Sequence, residues 1–321
     1  MEKKGLAIML TNRCNAECAI CGVSCSPKLD GVIDEALMID VINQAKDIGT
    51  FQQIGFTGGE AFLYTDLLIK GLNHAKKLGF TTSVATNGFW GSWSDEKIDA
   101  VLSAAKPDAV FLSFDMFHGE YIKPDSIEGA VRACRRNNIN HMEIAIGEAE
   151  GKFSAENTFE LLGDFKFAMK YKIYPFLRVG RAANLPKSDF YLMNQPVKRC
   201  FDEKILTVRF DGAVFPCCSS AVFNSCLQIG NIKNNSLADL MNHGKFIDVY
   251  NLIHDSKSFA ELTEIARQKN ILTDEDKNLS SCEICQLMFK DEENYKILSA
   301  DIEKLYNKFV FNNLFNRKKS A

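Results

Sequence analysis

The chain has 321 residues, 46% of them apolar, enough to bury a substantial core in one large domain or in a large domain with an appendage. A net charge of −3 and a pI near 6.0 exclude bulk attraction to nucleic acid or to anionic lipid. The first apolar run, GLAIML, passes straight into polar TNRCN, so it is no signal peptide, and nothing approaches the roughly 18 apolar residues of a membrane span.

Up to about residue 180, short β-rich runs alternate with amphipathic stretches. Strands are predicted at Gly5–Leu10, Gln53–Thr57, Phe80–Thr86, Ala109–Phe114, His141–Ile146 and Ile173–Val179. Helical periodicity lies between them, over Asp34–Ile48, Asp66–Leu78, Asp95–Ala105, Ser126–Asn137 and Asn157–Met169. Gly49 and Gly79 follow two of these stretches as C-cap glycines. Six β-α units in this order predict an α/β fold with a parallel sheet and right-handed crossovers, either a (β/α)6 partial barrel or an open doubly wound sheet. In both, ligands gather at the C-terminal ends of the strands.

From about Arg181 the pattern changes. The run VRFDGAVFPCC reads as a β-hairpin turning at Asp211-Gly212, and residues 236–270 and 287–315 read as helical. The division is therefore a partial barrel over 1–185 and a small α+β unit over 186–321. With the first strand starting by residue 5, no peptide-recognition domain is expected ahead of it. Eleven cysteines without a secretory signal point to metal or redox chemistry in the cytoplasm, not to a disulfide framework.

Three of those cysteines, Cys14, Cys18 and Cys21, follow the first strand with three and then two residues between them. Their thiolates can hold three irons of a [4Fe–4S] cube and leave the fourth open to a small molecule. A zinc knuckle completed by Cys25 is the alternative. Thr57-Gly58-Gly59-Glu60 ends the second strand, where glycines let the backbone approach a ligand closely. Asn87, Ser113 and Asp115 stand at the ends of the third and fourth strands, facing the expected crevice, with His118 a further cavity-lining candidate. Cys200, Cys217, Cys282 and Cys285 supply four ligands for a second metal centre, an iron–sulfur cluster or a structural zinc. Adjacent residues on an extended strand point to opposite sides, so Cys218 is not expected to share the cluster of Cys217. It can instead face the cavity as a hydrogen-atom donor, or simply pack. Cys134 reads as a packing residue and Cys226 as a rival donor.

The triplet with its open iron resembles the radical S-adenosylmethionine (SAM) superfamily. That resemblance implies that the open iron chelates the amino and carboxylate groups of SAM, that Gly58, Gly59 and Glu60 contact its amino group, and that Ser113 meets its ribose. The C-terminal cysteines resemble a truncated SPASM or twitch domain, implying one auxiliary [4Fe–4S] cluster. More narrowly, the chain is similar to the YydG-type radical SAM peptide epimerases, through NRCNA at Asn12–Ala16, FTGGE at Phe56–Glu60, NGFWG at Asn87–Gly91, SFDMFH at Ser113–His118 and DGAVFPCCS at Asp211–Ser219. The implied function is inversion of L-residues to D-residues in a ribosomally made peptide. A 5′-deoxyadenosyl radical removes the α-hydrogen and Cys218 returns hydrogen. The resemblance also implies a precursor peptide as partner and a flavodoxin- or ferredoxin-type one-electron donor, with no nucleic acid or membrane. The spacing after Cys200 departs from that family, leaving a substrate contact at Asp202 open. Two alternatives remain: a peptide maturase forming thioether or carbon–carbon crosslinks, and a non-catalytic zinc or iron–sulfur protein.

Overall fold

The first six strands form one parallel run in strict sequence order, and this order decides between the two sheets that the pattern allows. The computed structural model of the chain describes residues 4–190, 200 and 205–319. Its strands are β1 (Gly5–Met9), β2 (Gln53–Thr57), β3 (Thr81–Thr86), β4 (Ala109–Ser113), β5 (His141–Glu148) and β6 (Tyr171–Pro175). Helices α1 (Glu35–Ile48), α2 (Thr65–Lys77), α3 (Asp95–Ala105), α4 (Pro124–Arg136) and α5 (Ala155–Leu162) connect them. Each strand pairs with the next in parallel register, and α1 to α4 pack side by side in the same succession. A doubly wound sheet reverses its strand order at a switch point; from β1 to β6 this one does not. The architecture is the curved partial barrel, with helices outside and ligand-facing loops at the C-terminal strand ends.

Local chemistry explains most boundaries. Asp34, Ser94 and Ser154 cap α1, α3 and α5 by accepting a backbone N–H of the first turn. Gly49 ends α1 at φ +75°, a left-handed conformation that glycine enters without a Cβ penalty. The fifth helix stops at Leu162, short of its predicted end, because Gly163 turns the chain at φ +57° into a 3-10 segment. The sixth strand begins two residues before its predicted start. It is an edge strand whose residues from Lys172 to Pro175 are exposed, so its apolar alternation is a weak signal.

The hairpin forms as predicted, with β7 (Ile205–Val208) antiparallel to β8 (Ala213–Phe215) and Gly212 at φ +85°. Less expected is its place. β7 pairs in parallel with β1, and β9 (Gly230–Asn231) closes the far edge of one nine-stranded sheet. The second half of the chain therefore builds directly on the strand that carries the cysteine triplet. Its helical region divides into α6 (Ser220–Phe223), α7 (Leu237–His243), α8 (Ile247–Ile253), α9 (Ser256–Gln268), α10 (Ser281–Met288) and α11 (Glu292–Lys319).

Candidate active site

The loop between β1 and α1 is closed on itself before it meets any ligand. Thr11 bridges Val32, Arg13 bridges Ser26, and Cys14 N–H donates to Ser26 O at 3.1 Å. Cys14 and Cys18 are buried and Cys21 half-buried, and all three line a cavity of about 570 Å³ at the C-terminal ends of the strands. Burial pushes the Cys14 thiol up to about 11 and the Cys18 thiol up to about 12. Ligation must displace their protons, so a cation is what converts these thiols to thiolates. Cys25 lies against Cys21 in the same wall; its hydrogen bond favours the Cys21 thiolate, and that same contact, with burial, raises Cys25.

The glycine pair after β2 runs alongside this loop. Gly59 N–H donates to Thr11 O at 2.7 Å and Glu60 N–H to Arg13 O at 2.9 Å. A Cβ at Gly59 would collide with the Arg13 backbone, so the close approach requires glycine. Gly58 and Gly59 line the cavity, whereas the Glu60 carboxylate does not: it is wholly buried behind them. One Glu60 oxygen accepts from Phe62 N–H at 3.0 Å and the Thr86 hydroxyl at 2.7 Å, the other from Asn87 N–H at 2.8 Å. Burial raises its pKa against the pull of these donors. Both carboxylate oxygens are thus engaged in tying the end of β2 to the end of β3.

Asn87 and Ser113 reach the cavity wall. The Asn87 amide donates to Asn15 Oδ1 at 2.9 Å and lies 3.7 Å from Cys14 Sγ, which makes it a neighbour of the cysteine loop. Asp115 is buried outside the cavity. Its Oδ1 accepts the N–H groups of Phe117 and His118 at 3.0 and 3.1 Å, and its Oδ2 lies 2.9 Å from His118 Nδ1. Asp115 therefore presents His118, which does line the cavity. Burial works against the imidazolium, but the carboxylate outweighs it and holds His118 above the ordinary histidine value.

A second cavity, of about 290 Å³, is lined by Cys200, Cys217, Cys218, Cys282 and Cys285. Cys282 and Cys285 share one face of α10, whose N-terminus is fixed by a Ser280–Glu283 capping box. The alternation that would separate Cys217 from Cys218 does not operate, because β8 ends at Phe215 and both residues lie beyond it, outside any strand. They border the same cavity, and Cys218 is exposed. Ser281 and Cys282 line both cavities, so the two sites share a wall. Cys134 is buried in α4 within the core, and Cys226 packs half-buried against the core. Asp202 lies outside the described residues. No three His, Cys, Asp or Glu side chains among the described residues converge on a single metal ion. The thiols instead line the walls of two cavities, and soft sulfur donors around such spaces suit iron–sulfur clusters.

Residues 8–161 match the family model of the radical SAM superfamily, and residues 200–286 match that of the SPASM iron–sulfur cluster-binding domain. The chain carries a radical SAM domain and a SPASM domain. Its cofactors are SAM and two iron–sulfur clusters, and the residues of both cavities fit them. This radical SAM protein is 25% identical over 320 residues to the putative peptide biosynthesis protein YydG of Bacillus subtilis (strain 168), covering 96% of this chain and 98% of the other. Its fold is similar to that of native anSMEcpe with bound AdoMet, at TM-score 0.60 and 15% identity over 94% of this chain and 99% of that one. Native anSMEcpe with bound AdoMet and Kp18Cys peptide superposes at TM-score 0.55 and 17% identity, covering 95% of this chain and 99% of that one. Among the described residues, no helix is long and apolar enough to cross a membrane.

Sequence reasoning missed three contributors: Tyr174 and Phe176 on the cavity wall, and Arg181 behind the cysteine loop. The two aromatics sit at the end of β6, where a register shifted by two residues hides them. The exchange Glu60→Gln is expected to destabilise the protein by about 2–4 kcal/mol in denaturant unfolding, because an amide NH2 then faces backbone donors. An unchanged midpoint would contradict the assigned role. Asp115→Asn is expected to cost about 1–3 kcal/mol. A histidine with a raised folded pKa stabilises fully below its unfolded value of about 6.5 and loses that contribution as pH rises through the folded value. The gap between wild type and variant should therefore be wider at about pH 5.5 than at about pH 8.5. A gap that widened with pH would reverse the assignment.

Proposed function

We propose that this radical SAM enzyme inverts L-residues to D-residues in a ribosomally made peptide. The observation that carries the reading is Cys218, adjoining Cys217 at a cavity that shares Ser281 and Cys282 with the SAM cavity. Whole-length similarity to a protein named for peptide biosynthesis supports the substrate class. In this reading Cys14, Cys18 and Cys21 hold a [4Fe–4S] cluster, and Cys200, Cys217, Cys282 and Cys285 hold an auxiliary one. The partial barrel over 1–185 binds SAM, and the unit over 186–321 carries the second cluster.

Held by Cys14, Cys18 and Cys21, a reduced cluster with SAM would supply the one-electron radical chemistry needed to take a hydrogen atom from the peptide α-carbon. The chain's own residues do the rest. Gly58 and Gly59 offer backbone groups to the amino-acid head of SAM, with Glu60 holding them in place. Asn87 and Ser113 border its nucleoside part, and Asp115 acts there through His118. The apolar walls at Ile20 and Phe176 shield a reactive carbon from water. Cys218 gives its S–H hydrogen to the opposite face of that carbon, so the C–H bond re-forms inverted and the sulfur is left one electron short. An electron and a proton restore the thiol, the electron coming from a flavodoxin- or ferredoxin-type donor in the cytoplasm. Selectivity then rests on orientation, since the two hydrogen-transfer groups must lie across the α-carbon plane.

A second reading, crosslinking of the peptide, is favoured by one observation. Cys282 stands in both cavity walls, which suits an auxiliary cluster that accepts an electron from the substrate. Replacement of Cys218 by Ala separates the two. For an epimerase, SAM cleavage to 5′-deoxyadenosine should persist within about twofold, while D-residue formation falls at least about 100-fold. Inversion at the wild-type rate in that variant would refute the donor assignment.

A further inference from the structure

We propose that Arg181 is the positioning residue of the SAM-cluster loop, a clamp that holds the three cysteines ready for their irons. Its guanidinium Nε donates to Cys18 O at 2.9 Å, and its Nη2 donates to Cys25 O. Its own N–H donates to Cys21 O at 3.0 Å, and its Nη1 lies 3.7 Å from the Glu17 carboxylate. One residue from the far side of the barrel thus takes three carbonyls spread through the cysteine loop. A neighbouring carbonyl, Gly22 O, accepts from Asn224 Nδ2 at 2.8 Å.

The consequence is directional. The carbonyls of Cys18, Cys21, Gly22 and Cys25 are taken by Arg181 and Asn224, neither of which lines the cavity, so their negative charge is met by donors behind the loop. The nearby guanidinium adds a positive charge, and charge beside a cluster moves its reduction potential. Only arginine combines a rigid planar fork with a permanent charge; lysine would keep the charge and lose the fork. Gly180 makes the approach possible. It sits at φ +59°, and a Cβ there would strike the Gly22 backbone. Arg181 also lies between the stretches that the two family models match, 8–161 and 200–286. The inference rests on the cysteine loop holding a cluster and stands whichever peptide reaction follows.

The test uses the full chain, anaerobically reconstituted, as wild type, Arg181→Met and Arg181→Lys. Iron content and the change in the reduced-cluster EPR signal on adding SAM are read for each. Wild type should hold about eight irons; Arg181→Met should fall to about four, the auxiliary cluster remaining, and lose the SAM-dependent change. Retained auxiliary iron reports that the variant is folded. Arg181→Lys should keep part of the iron and bind SAM at least about fivefold more weakly. If Arg181→Met fails to fold, the lysine variant decides: wild-type SAM affinity there overturns the clamp. Full iron and an unaltered SAM response in the methionine variant would overturn it equally.

Discussion

The SAM cavity depends on a single buried carboxylate. Glu60 is wholly inaccessible, and three donors from two strand ends converge on it: Phe62 N–H, the Thr86 hydroxyl and Asn87 N–H. An unpaired carboxylate at such a depth would cost several kcal/mol, whereas one surrounded by donors becomes a rigid joint. The joint fixes Gly58 and Gly59 on one side and Asn87 on the other. Gly59, Glu60 and Asn87 in turn hold the cysteine loop, donating to Thr11 O, Arg13 O and Asn15 Oδ1. Trp90 Nε1–H donates to the same Thr86 hydroxyl at 3.0 Å, extending the network into the core. The glutamate of the GGE segment thus acts through geometry, and its neighbours Gly58 and Gly59 line the cavity.

The second constraint is that the two halves of the chain are built into one another. β7 continues the sheet beside β1, Arg181 and Asn224 grip the cysteine loop, and Gln286 on α10 donates to Asn224 O at 3.2 Å. Glu283, which caps α10 beside Cys282, also accepts the Arg178 N–H at 3.2 Å. The helix bearing Cys282 and Cys285 is therefore connected by hydrogen bonds to the loop bearing Cys14, Cys18 and Cys21. The two cysteine-lined cavities share a wall and a hydrogen-bonded frame, and in the proposed reading that fixed separation suits transfer of single electrons between their clusters.

Much of this was legible in sequence because local rules govern it. The spacing of Cys14, Cys18 and Cys21, the glycine pair, the capping residues and the β-α alternation all report short-range physics. What escaped depends on distant pairing. Nothing in VRFDGAVFPCC reveals that its first strand lies beside residues 5–9, since parallel register is set by the rest of the fold. The opposition of Cys217 and Cys218 assumed a strand that ends at Phe215. The family resemblance suggests Glu60 as a ligand contact and its strand-end place suggests Asp115; only packing shows that protein donors already occupy both carboxylates. Arg181 carried no local signal, because its partners lie more than 150 residues away.

The central claim is that a carbon-centred radical formed in the SAM cavity is closed by a hydrogen atom whose source exchanges with water. Turnover of the peptide in deuterated water, followed by mass spectrometry, tests this directly, since a thiol donor exchanges with solvent and an aliphatic carbon does not. The account predicts a gain of about one mass unit per modified residue, with the deuteron on an inverted α-carbon. A product lighter by about two mass units, with its L-configuration kept, would contradict it and establish a crosslink.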